Sequence, residues 1–140
     1  MKRWLSLILV LTVVAAVAFG VRHVLEKRSE QKREIAYQSA LRSYSERFQP
    51  GMTRKEVEDY LRARNIRFQQ MCCVDHKLSK TVLDDLTKIG QESAPWFCSE
   101  HNVYVAFQFK GPERNDLGGS ADPSDTLKAV SLHHWLEGCL

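Results

Sequence analysis

Signatures of catalysis are missing from this chain. No serine or cysteine stands in a recognised nucleophile context, and there is no His-x3-His spacing or His-Glu pairing of a hydrolytic metal site. Internal repeats and extended low-complexity tracts are absent too, which excludes solenoids and compositionally biased linkers. No cysteine lies near the end of the N-terminal apolar stretch, so a lipid-modified N-terminus is not expected. Charge itself is missing from Trp4 to Val21, where Ser6 and Thr12 are the only polar interruptions.

That uncharged run is what the sequence displays most clearly. As a helix, its 18 residues would extend about 27 Å at ~1.5 Å per residue, near the ~30 Å hydrocarbon core of a bilayer. Trp4 to Val21 therefore reads as a transmembrane anchor. The rival reading is a signal peptide with Lys2 and Arg3 as its basic start, cleaved near Ala18 at Ala16-Val17-Ala18, which would yield a secreted protein. The apolar run continues past that point to Val21, which favours an uncleaved anchor. Arg22, Lys27, Arg28, Lys32 and Arg33 follow it, yet long domains translocate largely regardless of flanking charge. The expected localisation is a single-pass membrane protein with its C-terminal part extracytoplasmic (periplasmic).

The division expected is an anchor over 1–21, a juxtamembrane stalk and first helix over 22–48, and one small α+β domain over 49–140. Arg22 to Gln69 carries 12 basic and 7 acidic residues, whereas Gln70 to Leu140 carries 6 and 10. The basic half fits a stalk beside a membrane and a solvated helix face, with no nucleic-acid partner. Cys72, Cys73, Cys98 and Cys139 read as disulfide-forming in an oxidising compartment.

Tyr37, Leu41, Tyr44 and Phe48 recur at helical spacing within Glu30 to Phe48, and Gln49-Pro50-Gly51 ends that helix. Thr53 and Glu56 form a capping box at the head of a second helix, which Asn65 ends. Val57, Tyr60 and Leu61 make its apolar face, and Arg54, Lys55, Glu58, Asp59 and Arg62 are expected to face water. A three- to four-stranded antiparallel sheet follows. Ile66 to Gln70 alternates, and Asn102 to Lys110 places Val103, Val105, Phe107 and Phe109 on one face. Leu127 to Leu136 sets Val130, Leu132, His134 and Leu136 together, while Thr81 to Ile89 fits a helix or a strand ending at Gly90. The Gly-, Pro- and Asp-rich stretch from Gly111 to Thr126 exceeds what a hairpin needs, so a mobile or functional loop is expected.

If the last two strands pair with Phe109 opposite Leu127, Cys98 falls opposite residue 138, beside Cys139. That lies within the ~7 Å Cα separation a disulfide tolerates. Closing a loop of about 40 residues is worth roughly 3–4 kcal/mol on the entropic account. Cys72 and Cys73 would point to opposite faces of a strand, which leaves their pairing open. A competing chemistry uses Cys73-x2-His76 and Cys98-x2-His101 as two ligand pairs for a tetrahedral zinc. In an exported protein disulfides take precedence over such a site, so no resident cofactor is expected. His133 and His134 face opposite ways on a strand, with His134 read as a partly buried structural residue. Asp84 and Asp85 are the remaining acid pair. Glu113, Asp116, Asp122 and Asp125 match no calcium-loop spacing. Trp96, Phe97, Trp135 and Leu136 are expected to pack around the bridge, or else to form an exposed patch for a partner.

Phe48-Gln-Pro-Gly51-Met52-Thr53-Arg-Lys-Glu56-Val57-x2-Tyr60-Leu61 resembles the helix start of SmpA/OmlA (BamE-like) and β-lactamase-inhibitor-protein-like domains. The resemblance implies an exported α+β domain that works by protein–protein contact. Leu61-Arg62-Ala63-Arg64 replaces the usual Leu-Gly, and the lipoprotein cysteine is absent, so no assembly role and no binding residue carries over.

The expectation is thus a membrane-anchored, extracytoplasmic interaction or envelope-structure module with a protein partner. Its rivals are a zinc-binding domain using Cys73, His76, Cys98 and His101, and a small hydrolase-like enzyme without an identifiable site.

Overall fold

A computed structural model of the chain describes residues 2–72, 82–112 and 119–140, with side chains in the first helix from residue 12 onward except that of residue 13. The first helix, α1 (Lys2–Arg47), is continuous, so the apolar run and the helix expected from Glu30 are one element. Two units divide the chain, residues 1–36 and 37–140. In the first, Val14, Val17, Phe19 and Val21 are exposed and Arg22 pairs with Glu26 one turn on (2.8 Å). Among the described residues no helix is long and apolar enough to cross a membrane. The expected Trp4–Val21 span therefore finds no support there; of that run only Thr12 and residues 14–21 have described side chains.

The second unit begins inside α1, because Tyr37 and Phe48 of the predicted stripe are buried in its core. Helix α2 (Arg54–Ala63) starts as its capping box requires: the Thr53 N–H donates to Glu56 Oε2 (2.7 Å), and the Glu56 N–H donates to Thr53 Oγ1 (3.3 Å). Asn65 takes a left-handed conformation (φ 56°) just past its end. Four strands follow, β1 (Gln69–Met71), β2 (Asp84–Glu92), β3 (Glu100–Lys110) and β4 (Thr126–Glu137). They form one antiparallel sheet in the order β1-β2-β3-β4. The α+β class of two helices followed by a four-stranded antiparallel sheet thus holds.

One face of the sheet carries the main core. Phe48, Val57, Leu61, Val105, Phe107, Phe109 and Leu127 are buried there together. Phe107 meets Phe48 and Tyr44 edge-on at 5.3 and 5.5 Å between ring centres, and Phe48 meets Tyr60 at 5.0 Å. Such pairs add ~0.5–1.5 kcal/mol beyond the area they bury. Leu86, Tyr104 and Ala106 make a smaller cluster on the other face, with Met71 and Trp135 against it.

The ambiguous stretch Thr81 to Ile89 is strand wherever it is described, apart from Leu83 before β2 and a single bridge from Val82 to Ser120. It does not stop at Gly90. A Cβ at Gly90 would lie 2.5 Å from the Tyr37 ring, so glycine serves the close approach of that ring while β2 continues to Glu92. The turn Gly51–Thr53 also does more than stop a helix. The Gly51 N–H donates to the Leu127 carbonyl (2.8 Å) and the Leu127 N–H donates to the Met52 carbonyl (2.7 Å), which covers the outer edge where β4 begins.

Candidate functional site

Ionisable side chains cluster at both ends of the helix-facing sheet surface. At the α2 end, Arg54 opens the helix and was expected to face water; it is instead 1% exposed. Its Nη1 lies 2.5 Å from Asp85 Oδ1, its Nη2 donates to the Leu83 carbonyl, and its Nε lies 3.5 Å from Asp125 Oδ2. The guanidinium also sits 4.0 Å over the Phe109 ring. Two acids and an aromatic face make burial of that cation tolerable, where an unpaired charge would be prohibitive. Glu58 was also expected to face water and is buried, accepting from Arg62 and from Gln70 Nε2 (3.1 Å). Burial pushes the Asp85 carboxyl up to about 7; Arg54 pulls the other way, and Glu58 and Asp84 add to the rise. Arg54, Asp84, Asp85 and Asp125 are all at most 1% exposed, so the cluster is interior. It ties α2 to β2 and to the segment before β4, where the Arg54 N–H donates to the Asp125 carbonyl (2.7 Å).

The opposite end is built by two register shifts. Asp85 pairs with Phe107 and Thr87 with Val105, so odd positions of β2 share the core face; after the bulge between Lys88 and Gly90, Gly90 pairs with Val103 and Glu92 with His101. One extra residue turns every later side chain over, and Glu92 therefore arrives on the His101 face. In β4, Phe109 pairs with Leu127 but Gln108 with Ala129, so Lys128 is the extra residue. That shift places His134 opposite Val103, on the same face again, while His133 goes to the other face beside Trp135 (5.2 Å).

Glu92, His101 and His134 thus converge from three adjacent strands. Glu92 Oε2 lies 3.6 Å from His101 Nδ1 and 3.9 Å from His134 Nδ1, and the two imidazole centres are 5.5 Å apart. Exposure of the side chains rises from 21% at His101 through 28% at Glu92 to 42% at His134. His134 is therefore an exposed residue in company, not the partly buried structural one expected.

The same end carries a bridge between Cys98 and Cys139, with Cα atoms 3.9 Å apart. Phe109 does stand opposite Leu127, and the Lys128 bulge moves the later register by one, which sets Cys98 opposite Cys139 itself. Next to it Trp96 is 92% exposed and meets Phe97 edge-on (5.8 Å), with Leu136 and Leu140 exposed as well. Of the four large apolar residues expected around the bridge only Trp135 packs into a core cluster. The bridge lies beyond the last paired residues of β3 and β4, Glu100 and Glu137, and not within the sheet.

The Cys98 sulfur is committed to Cys139, and Cys73 and His76 lie outside the described residues; His101 finds its company in Glu92 and His134 instead. Cys72 is disulfide-bonded as well. Asp122 accepts from Ser124 Oγ (2.6 Å) and Asp125 serves Arg54, while Glu113 and Asp116 lie outside the described residues. The described part of the long loop is held in place, since the Leu83 N–H donates to the Ser120 carbonyl (3.0 Å). Sequence reasoning missed Glu92 because its face depends on a bulge that strand alternation cannot register. No protein family, no curated protein and no solved structure matches the chain.

Proposed function

We propose that this chain is a membrane-tethered, extracytoplasmic interaction module that takes an extended segment of a partner protein along β4. One observation carries the reading: after Ala36, every exposed large apolar side chain among the described residues (Trp96, Phe97, Leu136 and Leu140) lies at the disulfide end of the sheet. Beside that patch β4 is an edge strand, which among the described residues Gly51–Thr53 covers at its start. The Glu137 carbonyl accepts from Ser99 on the β3 side (3.0 Å). Alternation then turns the backbone groups of Leu136 and His134 outward, where an added strand would find them. The bridge holds the aromatic turn to the strand end, with the Leu140 N–H donating to the Phe97 carbonyl (2.9 Å).

The tether rests on the apolar run from Trp4 to Val21 and on the exposed Val14, Val17, Phe19 and Val21, which a bilayer would cover. Disulfides support the extracytoplasmic side, and the Gly51-Met52-Thr53 resemblance supports contact rather than catalysis.

The test uses the full chain in its own membrane. A photo-crosslinking residue at Trp96 should give a discrete partner adduct, one at Lys88 none, and Leu136→Pro should abolish the Trp96 adduct without changing the circular dichroism. Adducts of equal yield from both positions, or an adduct that survives the proline, would reject strand addition. Protease applied to sealed right-side-out vesicles should digest the domain; full protection would reject the topology.

A further inference from the structure

We propose that Glu92, His101 and His134 form a mononuclear site for a divalent first-row transition ion, with two imidazole nitrogens and one carboxylate oxygen as ligands.

Each side chain offers a ligand atom, and the three atoms all lie within 4.8 Å of one another. A direct ion pair explains the arrangement less well. A single carboxylate oxygen faces two imidazole nitrogens at 3.6 and 3.9 Å, beyond hydrogen-bond reach of both. Ligand atoms around a tetrahedral zinc stand roughly 3.3 Å apart, given bonds of ~2.0–2.2 Å to nitrogen and oxygen. An ion among the three therefore asks for a contraction of a few tenths of an ångström on the Glu92 sides. The remaining closure falls to His134, which at 42% exposure has room to turn.

The backbone supplies the second argument. His101 sits on the central strand, and each flanking strand carries a register shift that brings its own ligand onto the His101 face. Two independent bulges converging on one trio is the use to which sheets put bulges beside functional sites. Two histidines and a carboxylate suit zinc, iron(II), cobalt(II) or nickel(II) rather than calcium or magnesium, which take oxygen ligands. Three protein ligands also leave a position for water or an incoming group.

Zinc titrated into the chelator-stripped full-length protein in detergent is the direct test, with cobalt(II) absorption as a parallel readout. Wild type should bind one equivalent that His133→Ala retains. His134→Ala and Glu92→Gln should each weaken it by at least roughly 10-fold, the loss expected even for outer-shell partners. Zinc should move the imidazole 15N resonances of His101 and His134, not that of His133. His134 is exposed, so its variant should melt with wild type in chelator, which separates ligand loss from unfolding. No binding by wild type, or binding unchanged in both His134→Ala and Glu92→Gln, would overturn the site.

Discussion

The two ends of one sheet surface hold clusters of ionisable groups under opposite conditions. At the α2 end Arg54 is enclosed with Asp85 and Asp125, and its contacts to both acids, the Leu83 carbonyl and the Phe109 ring are internal. At the disulfide end Glu92, His101 and His134 are between a fifth and two-fifths exposed and stand just outside hydrogen-bonding range of each other. The same electrostatics therefore fastens elements together at one end and leaves capacity for a ligand at the other. Burial decides between them, because a desolvated charge must be satisfied within the protein whereas a half-exposed one can wait for a partner.

The comparison breaks most severely at Arg54. Truncation in Arg54→Ala strands Asp85 and Asp125 without their cation, and a loss of ~3–5 kcal/mol in urea unfolding is expected. A loss under 1 kcal/mol would mean that the cluster is wetter than its burial says. Removal of the bridge in Cys98→Ala/Cys139→Ala comes next, at roughly 3–4 kcal/mol on the entropic account, together with faster amide exchange at Trp96 and Phe97. Unchanged exchange there would show that the turn does not depend on the staple.

Asp85 sharpens the closed end further. Its folded carboxyl titrates near 7 against an ordinary 3.8, so the folded chain holds a proton that the unfolded chain has lost between those values. This group's contribution to stability is therefore full below about 4 and falls as pH rises through 7. Asp85→Asn should cost stability at pH 5, since the hydrogen bond between Arg54 and a protonated carboxyl is disturbed, and the gap to wild type should narrow by pH 8. A gap that widens with pH would show Arg54 winning over desolvation. The smallest effect belongs to the open end: without metal, His134→Ala should change stability by less than ~0.5 kcal/mol, as exposed substitutions do. Zinc at 100 times the wild-type dissociation constant should stabilise wild type by ~2.7 kcal/mol and a variant weakened 10-fold by about 1.4 kcal/mol.

Much of the frame was legible residue by residue. Thr53 and Glu56 announce α2 through a local exchange of hydrogen bonds, and Val103, Val105, Phe107 and Phe109 announce β3 by alternation. Cys98 and Cys139 could be matched to within one residue by extending a strand register, and the missing residue is the bulge at Lys128. Arg54 was misread for a related reason. Helical periodicity says which residues share a face, whereas the acids that make an arginine buriable come from positions 31 and 71 residues away in sequence.

Local sequence by itself determined the capped second helix, the central strand and the α+β order, because capping and alternation act between neighbours a few residues apart. Only the tertiary structure decided that Arg54 is interior, that Trp96 lies bare and that Glu92 meets His101 and His134. Each of those depends on register, packing or a bulge set by contacts between distant segments, and one shifted residue in a strand is enough to send a side chain to the opposite face.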